Sequence, residues 1–247
     1  MDKYLYIAMT GAQQTLRAQA VNTHNLANAS TSGYRADLAA FESFLVRDGV
    51  TDSARVNAVA RGIGFDASAG PIQHTGRDLD VAINGPGWLA VQAFDGSEAY
   101  TRAGDLRVSA NGVLETGAGH PVVGDGGPIA IPPAESVHIG RDGTVSIVPL
   151  GQGANVQAEV GRIRLVNPPP DELARGEDGL FRMRDGSLPP ADAAVTLTQG
   201  ALEGSNVNTT EALINMIELA RRYETQVKLL RTAEQNDERA ASLMSLK

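Results

Sequence analysis

Glycine and proline are confined almost entirely to the middle of this 247-residue chain. All 12 prolines and all but three of the 27 glycines lie between Gly49 and Gly200. Because both residues interrupt helices, the two ends are free to form long helices while the middle is not. We therefore expect an α+β fold, in which discontinuous N- and C-terminal helices flank a mainly antiparallel β middle domain.

The C-terminal end carries one narrow apolar seam. Its apolar residues follow a 3-4-3-4-3 spacing, which is typical of a helix that packs along one line against another helix. They are Leu213, Met216, Ala220, Tyr223, Val227 and Leu230. Asn208, followed three residues later by Glu211, resembles a capping box and predicts a helix over residues 209–242.

The N-terminal end offers a second stripe, within a helix predicted over residues 4–29. Its members are spaced 4-3-4 and are Leu5, Met9, Ala12 and Leu16. We predict a coiled-coil-like region in which the two stripes take part. The C-terminal seam is compatible with an intramolecular hairpin with the first helix, with a contact between subunits, or with both.

Three asparagines recur at every third residue near the end of the first helix, namely Asn22, Asn25 and Asn28. They are compatible with a solvated helix face and equally with hydrogen bonds between subunits, for which side-chain amides are well suited. Together with the two apolar stripes they form the predicted assembly interface.

The middle of the chain alternates short β-like runs with turn sequences such as Asp95-Gly96, Asn111-Gly112 and Asp142-Gly143. The predicted strands lie at residues 79–83, 88–91, 99–101, 112–115, 121–123, 129–131, 136–139, 144–148, 161–166 and 194–198. Before them, Leu38, Phe41, Phe44 and Leu45 have helical spacing, but the segment is polar further on. We interpret residues 34–70 as a connector between an N-terminal region (1–33) and a β domain (71–200), with a C-terminal region at 201–247.

Charge and composition exclude several classes of protein. The formal net charge is −8 and lies almost wholly in the middle segment, so nucleic-acid binding is not expected. No stretch reaches the roughly 20 apolar residues of a membrane span, so membrane insertion is not expected either. The N-terminus lacks the pattern of a cleaved signal peptide. A chain with no Cys is also suited to crossing compartments unfolded.

The sequence contains no convincing catalytic, cofactor or metal site. Residues 85–90 formally match a dinucleotide fingerprint, but Asp95-Gly96 ends the segment before a phosphate-binding helix could form, which favours a tight turn. The four histidines share no metal-ligand spacing, and Asp78 with Asp80 lacks the other oxygens of a calcium loop. There is no nucleophile elbow of the Gly-x-Ser-x-Gly type. We expect no enzyme activity and no cofactor.

Four segments resemble the bacterial flagellar rod and hook family. They read THNLANASTSGYR at 23–35, TGRDLDVAINGPGW at 75–88, YTRAGDL at 100–106 with Asn111-Gly112, and LEGSNVN at 202–208, followed by Met216-Ile217 and Arg222-Tyr223-Glu224. The chain departs from the usual family pattern at His24, Trp88 and Glu234. None of these residues breaks a helix or a strand.

The resemblance implies a structural subunit of the flagellar basal body, with the terminal helices in the inner tube of the rod and the β domain outside. It also implies export by the flagellar type III apparatus and other rod and axial proteins as partners. The opening Met1-Asp2, the short connector and the modest length favour a proximal-rod member over a distal-rod member. The other interpretations are another axial protein of the family, and, from a different class, a secreted β-domain adhesin.

Overall fold

A computed structural model describes residues 3–45, 56–151 and 157–245, which fall into two units. The helical unit comprises the described residues of Met1–Ala27, Asp37–Gly64 and Asn208–Lys247. The β unit comprises Asn28–Ala36 and Phe65–Val207.

The described residues contain two long helices and eighteen strands. The helices are α1 (Lys3–Ala27) and α2 (Thr209–Ser245), and a short 3-10 helix spans Pro170–Glu172. The strands are β1 (Asp37–Leu45), β2 (Val56–Phe65), β3 (Ile72–His74), β4 (Val81–Asn84), β5 (Trp88–Gln92), β6 (Glu98–Thr101), β7 (Leu106–Val108), β8 (Leu114–Thr116), β9 (Val123–Gly124), β10 (Gly127–Pro128), β11 (Ala134–Ile139), β12 (Thr144–Pro149), β13 (Ala158–Arg162), β14 (Leu165–Val166), β15 (Leu173–Arg175), β16 (Phe181–Met183), β17 (Thr196–Gln199) and β18 (Ala201–Glu203).

Both predicted helices are confirmed and pack against each other. The helix α2 starts where the capping pattern placed it, because Asn208 Oδ1 accepts hydrogen bonds from the backbone N–H groups of Thr210 (3.1 Å) and Glu211 (3.3 Å). The 37 residues of α2 extend over about 55 Å. No helix in the described parts of the chain is long and apolar enough to cross a membrane.

The segment interpreted as a connector contains a two-stranded sheet formed by β1 and β2. The helical spacing that begins at Leu38 therefore lies in a strand. A short helix without caps is marginal, whereas a strand gains backbone hydrogen bonds from its neighbour. The residues between the two strands lie outside the described part of the chain.

The β unit is built from antiparallel pairs, as predicted. Its largest sheet has the order β14-β5-β6-β16-β15, and a second has the order β11-β12-β13. The paired strands whose register is defined are all antiparallel. Residues 129–131 do not form the predicted strand and make only one bridge, from Ala130 to Val113. Prolines at 128, 132 and 133 remove the backbone donors that a longer pairing would need.

Strand β5 lies between two hydrophobic cores. Because side chains alternate across a strand, Leu89 and Val91 enter one core while Trp88 and Ala90 enter the other. Trp88 packs edge to face on Phe65 and close to Phe181, with ring centroids 5.8 and 4.5 Å apart. The apolar side chains of the β unit thus form two buried cores, one on each face of β5.

Gly33 allows the segment after α1 to lie directly on the β unit. The helix α1 ends at Ala27, close to the predicted end at residue 29 and six residues before this glycine. Its φ is 67°, its N–H donates to the carbonyl of Glu203 (2.8 Å), and an added Cβ would overlap the carbonyl group of Arg102. Only glycine satisfies both the conformation and the space.

Gly33→Ala is therefore expected to destabilise the β unit by about 3 kcal/mol or more, because a steric overlap is added to the cost of positive φ. Gly76→Ala is the matched control: Gly76 has φ of 73° and no atom near its missing Cβ, so we expect a loss of only about 1 kcal/mol. Fluorescence of Trp88, the single tryptophan, reports urea unfolding of this unit. An equal decrease in the free energy of unfolding in the two variants would show that the space around Gly33 does not require glycine.

Candidate assembly interface

The two helices run antiparallel and are held in register by side-chain hydrogen bonds. Thr15 Oγ1 lies 3.0 Å from Gln226 Oε1, and seven residues further along α1 the amide of Asn22 donates to the carbonyl of Ala212 (2.7 Å). The later residue on α1 therefore contacts the earlier residue on α2, as in an antiparallel pair. Polar groups buried in a helix pair fix its register, because a shifted pairing would leave them without partners.

Small and polar residues form the face that α1 buries. Ala12, Gln14, Thr15 and Ala18 are each less than a tenth exposed, and Ala212 is equally buried on α2. Side chains of this size let two helix axes approach closely. The face that α1 contributes to the helix pair therefore consists of small and polar side chains, not bulky apolar ones.

The predicted stripe on α1 is divided between two faces. Ala12 is buried, whereas Met9 and Leu16 are 48% and 46% exposed. Within one chain, therefore, Ala12 is covered while the side chains of Met9 and Leu16 stay about half exposed. The side chain of Leu5 lies outside the described part. The role of these residues between subunits stays a prediction.

The predicted seam on α2 is largely brought together on one face. Met216, Ala220, Tyr223, Val227 and Leu230 are all partly buried, which fits the side on which Gln226 meets α1. Leu213 differs, with 49% of its surface exposed.

A second apolar face on α2 points away from the partly buried seam. Leu213, Ile214 and Ile217, which we call the outer patch, are 49%, 54% and 56% exposed. Residues three and four apart are neighbours on a helix surface, so these three side chains are contiguous. Ile214 and Ile217 were not among the predicted interface residues. In the sequence they form an apolar pair that lies beside the 3-4-3-4-3 seam and not on it.

The three asparagines each bond within the chain. Asn22 reaches Ala212 on α2, and Asn28 Oδ1 accepts from the hydroxyl of Thr31 (3.2 Å). Asn25 bonds both backbone groups of Asp37: its Nδ2 donates to the carbonyl (2.9 Å) and its Oδ1 accepts from the N–H (2.8 Å). The side-chain amide of Asn25 thus pairs with the first residue of β1 as a neighbouring strand would. A role for the three asparagines in contacts between subunits stays a prediction.

In the β unit, one buried carboxylate binds two buried guanidinium groups. Glu203 Oε1 accepts from Arg35 Nη2 and Glu203 Oε2 from Arg102 Nε, both at 2.6 Å. The three side chains are at most 4% exposed. The backbone N–H of Gly70 also donates to Glu203 Oε1 (2.9 Å). We call these residues the Glu203 cluster.

Arg102 also holds the turn that formally resembled a dinucleotide fingerprint. Its guanidinium donates to the carbonyls of Gly87 (2.7 Å), Gly85 (3.0 Å) and Ile83 (3.3 Å). The segment runs from strand to turn to strand without a helix, so the prediction of a tight turn is confirmed. Burial lowers the pKa of the Arg102 guanidinium, while the Glu203 carboxylate opposes that shift.

The histidines are separated in the structure. His24 Nδ1 lies 3.1 Å from Asp37 Oδ2, while the ring of His120 packs on Phe94 with centroids 4.4 Å apart. Among the described residues, no three His, Cys, Asp or Glu side chains are grouped so that they could hold a metal ion.

Sequence reasoning missed Arg35, Arg102 and Glu203 as partners. Each stands in a different segment of those that carried the family resemblance, at positions 35, 102 and 203. Their presence in these segments was the available signal, but a single sequence gives no indication that they meet.

Three family models match the chain in the order expected from the fold. "Flagella basal body rod protein" matches residues 5–35, "Flagellar hook protein FlgE/F/G D1 domain" matches 82–147, and "Flagellar basal body rod FlgEFG protein C-terminal" matches 198–243. The first match contains most of α1, the third contains most of α2, and the second lies within the β unit.

Curated relatives match over full length. The chain is 44% identical to the flagellar basal-body rod protein FlgF of Salmonella typhimurium and to FlgF of Escherichia coli, in each case over 100% of both chains. It is 34% identical to the flagellar basal-body rod protein FlgG of Buchnera aphidicola subsp. Schizaphis graminum, covering 94% of this chain and 95% of the relative.

The paired hydrogen bonds of Asn25 lead to a test of how β1 is anchored. Asn25→Ala removes both bonds to Asp37 and is expected to weaken this contact by about 1 to 2 kcal/mol, so the Asp37 amide should exchange hydrogen roughly tenfold faster. Thr23→Ala, at an exposed position on the same helix, is the control and should leave this amide unchanged. Unaltered exchange in Asn25→Ala would show that β1 is anchored by other contacts.

Proposed function

The chain belongs to the flagellar basal-body rod protein family, and we propose that it is a non-enzymatic structural subunit of the proximal rod. In this proposal, α1 and α2 associate in a coiled-coil manner with the helices of neighbouring subunits, either copies of this chain or related axial proteins. The chain reaches the periplasm-spanning rod through the flagellar type III export apparatus. The 44% identity to FlgF of Salmonella typhimurium and of Escherichia coli, over the full length of both chains, supports the proximal position.

The observation that carries the proposal is the apolar surface that the helices leave exposed. Met9 and Leu16, seven residues apart, lie on one side of α1, and the outer patch lies on α2. Contiguous apolar side chains on the surface of a soluble protein mark interaction sites. The β unit, by contrast, closes both of its cores internally. The helices therefore present the surface best suited to another subunit.

The lengths of the helices support the same proposal. The helix α2 has 37 residues and α1 has 25, so at least twelve residues of α2, about 18 Å, have no counterpart in α1. Long helices in water depend on packing for stability. Helices of adjacent subunits are suitable partners for the remaining length.

Charged residues on α2 are suited to setting the register of that association. Arg221, Arg222 and Lys228 are exposed, and Arg222 lies 3.8 Å from Glu218 one turn earlier. Exposed pairs contribute only about 0 to 1 kcal/mol each, so we assign them to the choice of partner and alignment more than to strength.

Ile217→Asp tests the outer patch. The side chain is exposed in the single chain, so the variant should fold with a change of only about 0.5 kcal/mol, but a carboxylate buried between subunits costs several kcal/mol and should exclude the protein from rods. Leu188→Asp, 60% exposed in the β unit, is the matched control and should assemble. Swimming speed and the content of purified basal bodies are the measurements. Normal motility with Ile217→Asp present in rods would show that the outer patch is not an interface.

Leu16→Asn separates export from assembly. We expect the variant in the periplasm but absent from rods, because an exporter of unfolded chains should tolerate the change whereas a helix interface should not. Deletion of residues 1–33 should abolish both. Gln13→Asn, at an exposed position on the same helix, should support both. Leu16→Asn protein confined to the cytoplasm would instead assign this position to the export signal.

A further inference from the structure

The chain crosses between its two units at four points, and the Glu203 cluster includes residues close to three of them. The crossings follow Ala27, Ala36, Gly64 and Val207. Arg35 immediately precedes the second crossing, Gly70 lies six residues after the third, and Glu203 lies four residues before the fourth. All of the groups that bind the carboxylate belong to the β unit. One side chain thus joins segments that are distant in sequence but share a position next to a crossing.

Asn206 joins the same three segments a second time. Its Oδ1 accepts from the backbone N–H of Ala36 (2.7 Å), and its Nδ2 donates to the carbonyls of Asp66 (3.0 Å) and Ser68 (3.1 Å). Asp66 also donates its N–H to the carbonyl of Ala36 (2.8 Å). We call residues 33–36, 66–70 and 203–207 the exit segments.

Burial of Arg35 depends on Glu203 more strongly than burial of Arg102 does. Arg102 has carbonyl acceptors in addition to the carboxylate. For Arg35, Nε and Nη1 are buried without a hydrogen-bond partner among the described residues, and Nη2 bonds to Glu203. A buried charge of this kind is tolerated only while its partner is in place. If the segment that carries Glu203 leaves, Arg35 is left buried without its ionic partner, and the segment that carries Arg35 is destabilised. Because coupling free energies are reciprocal, departure of the Arg35 segment weakens the Glu203 segment by the same amount.

We propose that the exit segments form one cooperative element, closed by the Arg35–Glu203 pair, which opens and closes as a whole independently of the rest of the β unit. Since α1 and α2 are reached through these segments, the two ends of the chain are fixed together. Opening of the exit segment next to α1 therefore also opens the exit segment next to α2. The inference rests on contacts within the β unit and does not require the proposed function.

Native-state hydrogen exchange of the full chain in low urea tests the proposal without any substitution. Amides of the three exit segments should follow a single opening curve, at a lower free energy than the amides of β5 and β6. Separate curves for 33–36 and 203–207 would overturn the proposal. A curve shared with β5 and β6 would overturn it too, since the segments would then open only with the whole unit.

Arg35→Met gives a second, directional test, because it retains an unbranched side chain and removes the charge. Exchange should rise on the order of a hundredfold in all three exit segments, including 203–207, and remain unchanged in β5 and β6. Arg107→Met is the matched control: its side chain pairs with Glu115 at 2.8 Å but is 55% exposed, so hydrogen exchange in the exit segments should stay as in the parent chain. A rise confined to residues 33–36 would show a local salt bridge without coupling.

Discussion

A single carboxylate has to compensate two buried guanidinium groups, and the arrangement of the chain ends depends on this. Apolar residues of similar size would give comparable stability at such a site, but they would accept many neighbours. Buried charged groups, by contrast, accept only neighbours with the opposite charge and matching hydrogen-bond geometry. Among the described residues Arg35 has one ionic partner, Glu203, so the segment after α1 and the segment before α2 come to the same place in the β unit. The cluster is therefore best understood as a device for specificity.

The two units use hydrophobic side chains in opposite ways. In the β unit, strand β5 divides its residues between two buried cores formed within one chain. In the helical unit, small and polar residues form the buried face of α1 while Met9 and Leu16 stay half exposed. A folded body joined to helices with exposed apolar faces is what a polymer-forming subunit requires, since folding and association then use different residues.

Local patterns predicted the two helices and the antiparallel class of the middle, but they missed short strands such as β3, β7, β15, β16 and β18. Helix lengths, the cap at Asn208 and the antiparallel character of the middle all followed from spacing and turn chemistry. What they could not predict was pairing. A 4-3-4 spacing defines a stripe on α1 but does not say whether α2 covers that stripe or its neighbour, and the small residues beside it decided the outcome. Likewise, Glu203 meets partners 168 and 101 residues away, a separation that no local pattern encodes. The β1–β2 sheet was missed because the apolar residues of β1 have helical spacing and those of β2 lie in a segment interpreted as a connector.

In the proposed assembly, the outward-facing apolar side chains of α1 and α2 make order in the helical unit depend on mass action. Part of the free energy that a self-contained fold would gain within the chain is then gained only when another chain covers these side chains, so apparent stability rises with subunit concentration. Such a subunit has a critical concentration: below it, the chains stay apart, and above it, each added subunit covers the helices of the one before. A growing end then acts as the template on which the next chain completes its fold.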